Sequence, residues 1–250
     1  MTEEYKQRAI VLAGGAGSRL APLTNVISKQ LLPIYNKPMI AFPLQTLKEM
    51  GYVDILIINA SEEQQKQFKH LLGDGKKMGL NLSYAIQDKP RGLVDAFIIG
   101  EEFIKDADEI CLILGDNIFI DNTPTYVTPN TIYTYKVKDP SAYGVVVTDE
   151  NGWIKEIVEK PKDFISEDAV VGLYVFSNEV VEMAKKVTPS ARGELEIVDL
   201  IRMMDEEERV YVRQLGGFWF DAGTPDSLLD CANLVRTIDK RSNHAIGIDV

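Results

Sequence analysis

The chain has 250 residues, 45% of them hydrophobic and 26% charged, enough to bury one large α/β core or two small ones. Its formal net charge of −11 argues against a nucleic-acid partner, because phosphate backbones are held by excess Lys and Arg. The opening MTEEYKQR has no apolar leader core, and no run approaches about 18 consecutive apolar residues, so the expectation is a cytoplasmic protein with no membrane partner.

Residues 8–13 (RAIVLA) predict a first strand that empties into the glycine-rich turn GGAGSR. Apolar residues at helical spacing from Ile40 to Met50 stop at Gly51, a good residue just past a helix end. DILIIN (54–59) reads as a buried strand, 61–72 as a helix capped by Ser61, LSYAI (82–86) as a strand, and 93–104 as a helix. Strand 109–114 (EICLIL) ends directly at Gly115 and Asp116. The grammar then changes. Runs 131–137, 143–148 and 153–159 predict strands, the last two joined as a hairpin through Glu150, Asn151 and Gly152. Strand 170–176, helices 178–187 and 194–207, strands 210–215 and 218–220 and a closing helix over 225–240 complete the order. The expected fold class is α/β: a Rossmann-like mixed, mainly parallel sheet flanked by helices on both faces, with a small antiparallel insertion capping one end. One domain spanning 1–250 is expected, with a first part over about 8–120 and a second over about 131–224.

The loop of Gly14, Gly15 and Gly17 suits phosphate, since backbone N–H groups can approach an anion with no Cβ in the way. It is not a Walker A loop, because no Lys-Ser or Lys-Thr follows at the required spacing. Nor is it a dinucleotide fingerprint, because Leu20 stands where a third small residue is needed. What remains is Arg19 leaving the loop and Lys29 ten residues on, two cations suited to a polyphosphate. Ligands in open α/β sheets sit beyond the carboxyl ends of strands, and Gly14, Gly15, Gly17, Arg19, Gln87 and Asp116 all follow predicted strands. Asp116 and Asp221, each after an apolar strand, form a natural pair for one Mg²⁺, although an Asp in that place serves equally as a helix cap. Cys111 and Cys231 read as buried free thiols, since two cysteines make neither a disulfide framework nor a four-ligand metal site. The only histidines, His70 and His244, read as bystanders in a surface helix and a polar tail. Trp153 and Trp219 read as packing residues.

The string GGAGSRLAPLT…SKQLLPIYNKPMI resembles the signature of the sugar-1-phosphate nucleotidylyltransferases, and SKQLLP is most similar to the glucose-1-phosphate thymidylyltransferases. QDKPRGL, LGDN, YGVV, EKP, AVVGLY, SARGELEI and FDAGT follow in the family's order over nearly the whole chain. The resemblance implies Mg²⁺-dependent transfer of a nucleotidyl group from dTTP to glucose 1-phosphate, giving dTDP-glucose and pyrophosphate in the cytoplasm, by an enzyme that forms homodimers or homotetramers. The attacking phosphate is already ionised at neutral pH, so no protein nucleophile is needed and the work is positioning and charge neutralisation. It implies Arg19 and Lys29 as catalytic residues, and Leu12, Gly14, Gly15, Gly17, Ser18, Gln30, Gln87, Gly92 and Asp116 as nucleotide-binding, with Gln87 and Gly92 on the pyrimidine edge. It assigns the sugar phosphate to Asn117, Gly144, Glu159, Lys160, Val170 and Arg192, and the metal to Asp116 and Asp221. By itself Lys160 reads as a solvated hairpin charge and Arg192 as a helix-start residue; only the matched contexts give them a ligand.

Three departures stand out. Residues 121–130 (DNTPTYVTPN) are too short and broken for the helical segment usual in the family. Arg91 and Asp95 stand where it tends to have an acid and Gln, which leaves UTP or another hexose or amino-sugar phosphate open as substrates. The sequence ends soon after 225–240, where longer relatives continue into helices of a regulatory site, so weak or absent feedback inhibition is expected. Two other classes carry different sequence requirements. A non-catalytic nucleotide-sugar-binding subunit predicts loss of Arg19, Lys29, Asp116 or Asp221, and a metal-dependent glycosyltransferase predicts an Asp-x-Asp motif where Asn117 and Ile118 follow Asp116.

Overall fold

The computed structural model describes residues 5–121, 123–124, 128–242 and 248–250; His244 lies outside them. In chain order its strands are β1 (Gln7–Ala13), β2 (Pro33–Ile34), β3 (Lys37–Pro38), β4 (Asp54–Asn59), β5 (Asn81–Ile86), β6 (Glu109–Leu114), β7 (Asn117–Ile120), β8 (Thr131–Lys136), β9 (Gly144–Thr148), β10 (Ile154–Glu159), β11 (Asp168–Ser177), β12 (Tyr211–Gln214) and β13 (Phe218–Asp221). The helices are α1 (Ala41–Glu49), α2 (Glu62–Leu72), α3 (Asp95–Ile99), α4 (Glu101–Ile104), α5 (Val180–Lys186), α6 (Ile197–Glu207) and α7 (Pro225–Ser242). They fall into two compact units, one drawn from Met1–Arg8, Pro90–Leu112 and Tyr126–Gly216, the other from Ala9–Lys89, Ile113–Thr125 and Gly217–Val250.

In the second unit, β1, β4 and β5 run parallel, with Ala9 opposite Ile55 and Ile55 opposite Leu82. Ala9, Ile10 and Val11 of β1 and Ile55, Ile57 and Ile58 of β4 are buried. This is the uninterrupted apolar pattern of a strand covered on both faces, where alternation would leave polar groups inside. Ser61 caps α2 by accepting the Gln64 N–H at 3.2 Å, as its position before an amphipathic run predicts. Two short antiparallel pairs, β2 with β3 and β7 with β13, complete the strands of this unit.

In the first unit the strand order is β10-β9-β11-β6, with β8 joining β11 and β12. β9 and β10 form the expected hairpin, antiparallel, with Val146 opposite Ile157. β11 is buried from Ala169 to Phe176, and Phe176 meets Phe97 edge-on with ring centroids 5.9 Å apart. Trp153 packs on Tyr211 with centroids 4.9 Å apart and carries Arg209 over its face, a packing role as expected.

One expected helix is corrected. The helix over 93–104 breaks at Gly100, where Phe103 N–H bonds to Gly100 O at 2.8 Å and interrupts the regular ladder; glycine is among the weakest helix formers. Three 3₁₀ turns, 18–20, 23–25 and 29–31, come between the glycine loop and α1. Asp116 is followed by strand β7, not by a helix that it would cap. Cys111 and Cys231 are free and buried, and burial pushes the Cys231 thiol up to about 12. Among the described residues no helix is long and apolar enough to cross a membrane.

Candidate active site

The second unit brings together the residues of the glycine loop, the two aspartates and Gln87. Gly17 adopts φ +64° and its carbonyl accepts the Thr24 hydroxyl at 2.8 Å, so the loop turns through a conformation that suits glycine and is pinned from outside. A Cβ on Gly15 would lie 3.3 Å from Lys29 Cε, which shows Lys29 laid against the loop. A Cβ on Gly14 would lie 3.4 Å from Gln87 Oε1, so the end of β5 reaches the same loop. Leu12 supplies the carbonyl that accepts Gly115 N–H at 3.0 Å, and Ser18 is exposed in the first 3₁₀ turn. Gln30 is buried, with its side-chain oxygen accepting the Ser28 hydroxyl at 2.6 Å.

Lys29 donates to Asp116 Oδ2 in a tight ion pair whose side chains are 12% and 11% exposed. Arg19 Nη2 stands 3.6 Å from Asp221 Oδ2. The aspartates are set by one antiparallel pair, because Asp221 closes β13 opposite Asn117 of β7 and Ala222 N–H returns to Asp116 O at 2.9 Å. Trp219 locks this pair from below, its indole N–H donating to Asn117 Oδ1 at 2.8 Å. Burial, then the charge of Asp116, raises the Asp221 carboxyl above its ordinary value, against the lowering effect of Arg19 and Lys29. Two hard oxygen donors that repel one another gain from added positive charge, and the donor set suits a divalent cation such as Mg²⁺. Gly223 is a residue the sequence did not single out. Its N–H donates to Asp221 Oδ1 at 3.2 Å, and a Cβ there would lie 2.6 Å from Arg19 Nη2.

The first unit gathers a second cluster. Gly144 pairs with Glu159 across the β9–β10 hairpin, and a Cβ on Gly144 would lie 3.3 Å from Glu159 Oε2 and 3.8 Å from Val170 Cβ. Arg192 reaches Glu159 at 3.2 Å and Glu194 at 3.6 Å, and it grips Glu196 with two nitrogens. Lys160 Nζ lies 3.5 Å from Glu159 and takes φ +47°, a conformation that costs a non-glycine residue roughly 1 kcal/mol or more. Burial raises the Glu159 carboxyl, with Lys160 and Arg192 working against it. Burial would raise Glu196 too, but the Ser190 hydroxyl and Arg192 together bring it below its ordinary value. Glu196 was missed in the sequence; its place four residues after Arg192 was the available signal. Of the expected sets, Gly92 belongs to this unit and Asn117 to the other.

A model of the nucleotidyl transferase family matches residues 8–237. The chain belongs to that family. It is 48% identical over 246 residues to a glucose-1-phosphate thymidylyltransferase of Neisseria meningitidis serogroup A, covering 94% of this chain and 85% of the relative. It is 44% identical over 249 residues to the Mycolicibacterium smegmatis protein of the same name, covering 96% and 86%. A solved Bacillus anthracis structure assigned to the same enzyme and determined with sucrose superposes with a TM-score of 0.84 at 36% identity, over 92% of this chain and 95% of that one. The expected resemblance and fold class, α/β with a mixed, mainly parallel sheet flanked by helices and small antiparallel strands, are those of this nucleotidyltransferase family.

Proposed function

We propose that the chain transfers a thymidylyl group from dTTP to glucose 1-phosphate, releasing pyrophosphate and forming dTDP-glucose. The relatives' shared name supports the substrates. The observation that carries the chemistry is the pairing of both loop cations with both candidate metal carboxylates, Lys29 with Asp116 and Arg19 with Asp221. Asp116 and Asp221 would hold Mg²⁺, which supplies positive charge to phosphate oxygens when bound.

The reaction is attack by a sugar-phosphate oxygen on the α-phosphorus, breaking its bond to the oxygen bridging to the β-phosphate so that pyrophosphate leaves, and negative charge gathers at the α-phosphate and on pyrophosphate. Lys29 and Arg19 move from the aspartates to those oxygens, contacts worth most where charge develops. The glycine loop holds the triphosphate with backbone N–H groups, and Gln87 meets the base. In the first unit Arg192 and Lys160 take the sugar phosphate, and Glu159 accepts from sugar hydroxyls, a contact that rejects analogues lacking them.

A second substrate reading rests on Arg91. Its Nε lies 3.4 Å from the buried Asp95 carboxylate, at two positions where the family's usual acid and Gln are replaced. This favours testing UTP and other hexose 1-phosphates beside the main pair. Protein, Mg²⁺ and glucose 1-phosphate are incubated with dTTP or UTP, pyrophosphate release is followed, and the product is weighed. Fast dTDP-glucose formation abolished by EDTA supports the proposal; turnover with UTP alone moves it to the second reading, and none with either overturns both for glucose 1-phosphate.

A further inference from the structure

We propose that the second unit carries an anion site, built from residues outside the carboxylate cluster, that binds the phosphoryl group of a small molecule. Lys37, opening β3, has a side chain only 9% exposed, and its ammonium pairs at 2.8 Å with Asp249, whose own side chain is 94% exposed. A buried ammonium is costly unless paired, and here a pairing carboxylate is supplied by a solvent-facing residue. The segment is anchored one residue earlier, where Ile248 is buried and donates its N–H to Ala41 O at 3.1 Å.

Lys37 and Asp249 share a depression of about 410 Å³ with Gln45 and Lys48 of α1, and with Lys77 and Gly79 from the turn before β5. Lys48 uses one proton on Met78 O at 2.7 Å, leaving two for other acceptors. A Cβ on Gly79 would lie 3.5 Å from Lys48 Nζ, so glycine keeps that wall low. Three lysines thus line one depression against one aspartate, in a chain whose net charge is −11. The neighbouring acids are engaged elsewhere: Glu49 accepts from Gln45 and Thr123, and Asp74 pairs with Lys76 at 3.6 Å.

The charge match selects the ligand. A carboxylate would only repeat what Asp249 already gives Lys37. A phosphoryl group brings about two negative charges and three acceptor oxygens, enough to take Lys37, Lys48 and Lys77 together. Asp249 then acts as a built-in competitor that holds Lys37 until such a group displaces it.

The site does not rest on the proposed reaction, and its test reads it separately. The ¹⁵N-labelled full chain is titrated with inorganic phosphate. The amides of Gly79 and Ile248 report this site, and those of Gly15 and Gly17 report the glycine loop. We expect saturable shifts at Gly79 and Ile248 that vanish in the Lys48→Ala/Lys77→Ala variant, and a severalfold tighter Kd at those amides in Asp249→Asn. The proposal is overturned by no saturable shift at Gly79 and Ile248 in the unaltered chain. It is also overturned by shifts that persist in the double variant, or by an Asp249→Asn affinity that is unchanged or weaker.

Discussion

Arg192 holds Glu196 with Nε at 3.1 Å and Nη2 at 2.7 Å, while Ser190 donates to the same carboxylate at 2.6 Å. Glu159, at 3.2 Å from Arg192, makes a single longer contact. The two carboxylates therefore have different tasks. Glu196 orients the guanidinium, with a two-nitrogen grip that fixes its plane, and in the proposed reaction Glu159 is the partner that the sugar phosphate replaces, which would leave its oxygens open to hydroxyl donors. We expect Glu196→Gln to raise KM for glucose 1-phosphate about tenfold with a smaller change in kcat, since uniform binding is lost. Glu196→Asp should recover part of it, and an unchanged KM in the Gln variant would remove the positioning role.

The raised carboxyl of Asp221 makes a prediction about stability that runs opposite to its effect on activity. With its folded pKa above the unfolded one, the native state binds more protons between those two values, so stability falls as pH rises through that window. Asp221→Asn removes a charge that burial and Asp116 oppose, so the variant should melt at a higher temperature than the unaltered chain at pH 7. Turnover should fall by at least about a hundredfold, as expected when a metal ligand is lost. A variant that melts lower at pH 7 would show that the carboxylate stabilises the fold.

If Asp221 holds Mg²⁺ as proposed, the ion competes there with a proton, so its apparent Kd should weaken as pH drops below that carboxyl's raised value, earlier than for an ordinary aspartate. Calorimetric Mg²⁺ titration between pH 5 and pH 8, on the unaltered chain and on Asp221→Asn, measures this. The expectation is a slope in the first and none in the second.

Lys29→Ala should reduce kcat by about a hundredfold to a thousandfold, the usual cost of removing one donor aimed at developing charge. The Lys29 side chain is 12% exposed, lies against Gly15 and pairs with Asp116. The variant is expected to keep its circular dichroism spectrum, which is recorded beside the rates, and near-normal rates would end the proposed role.

Much of this architecture is legible in the sequence where one physical signal acts alone. The apolar run Ala9–Ala13 emptying into glycines, the Ser61 cap and the Glu150–Gly152 turn each depend on neighbouring residues only, and each is found. What escaped depends on partners far along the chain. β7 is four residues long and exists because β13, about a hundred positions later, pairs with it; without that partner, NIFI is a short apolar stretch. The anchoring of Asn117 by Trp219 is hidden for the same reason. Glu196 lay inside a recognised motif, but its role emerges only when the Arg192 side chain is seen to fold back on it. Gly100 was readable in principle, and the apolar pattern around it outweighed a helix-weakening glycine.

Gly92 gives the sharpest separation between resemblance and geometry. The resemblance places it on the pyrimidine edge, yet it sits at φ +101°, and a Cβ there would fall on the Leu195 backbone, 2.7 Å from its nitrogen. Leu195 N–H donates to Arg91 O at 2.7 Å, so the turn at Gly92 braces the segment that carries Arg192 and Glu196. Gly92→Ala must strain a left-handed backbone and push that segment away, at a cost of about 2 kcal/mol or more in stability. Its kinetic consequence should appear at the sugar phosphate, as a raised KM for glucose 1-phosphate through displaced Arg192, with KM for dTTP changed less. A rise confined to dTTP would mean that Gly92 acts by contact with the base, and that the bracing of Arg192 has no bearing on turnover.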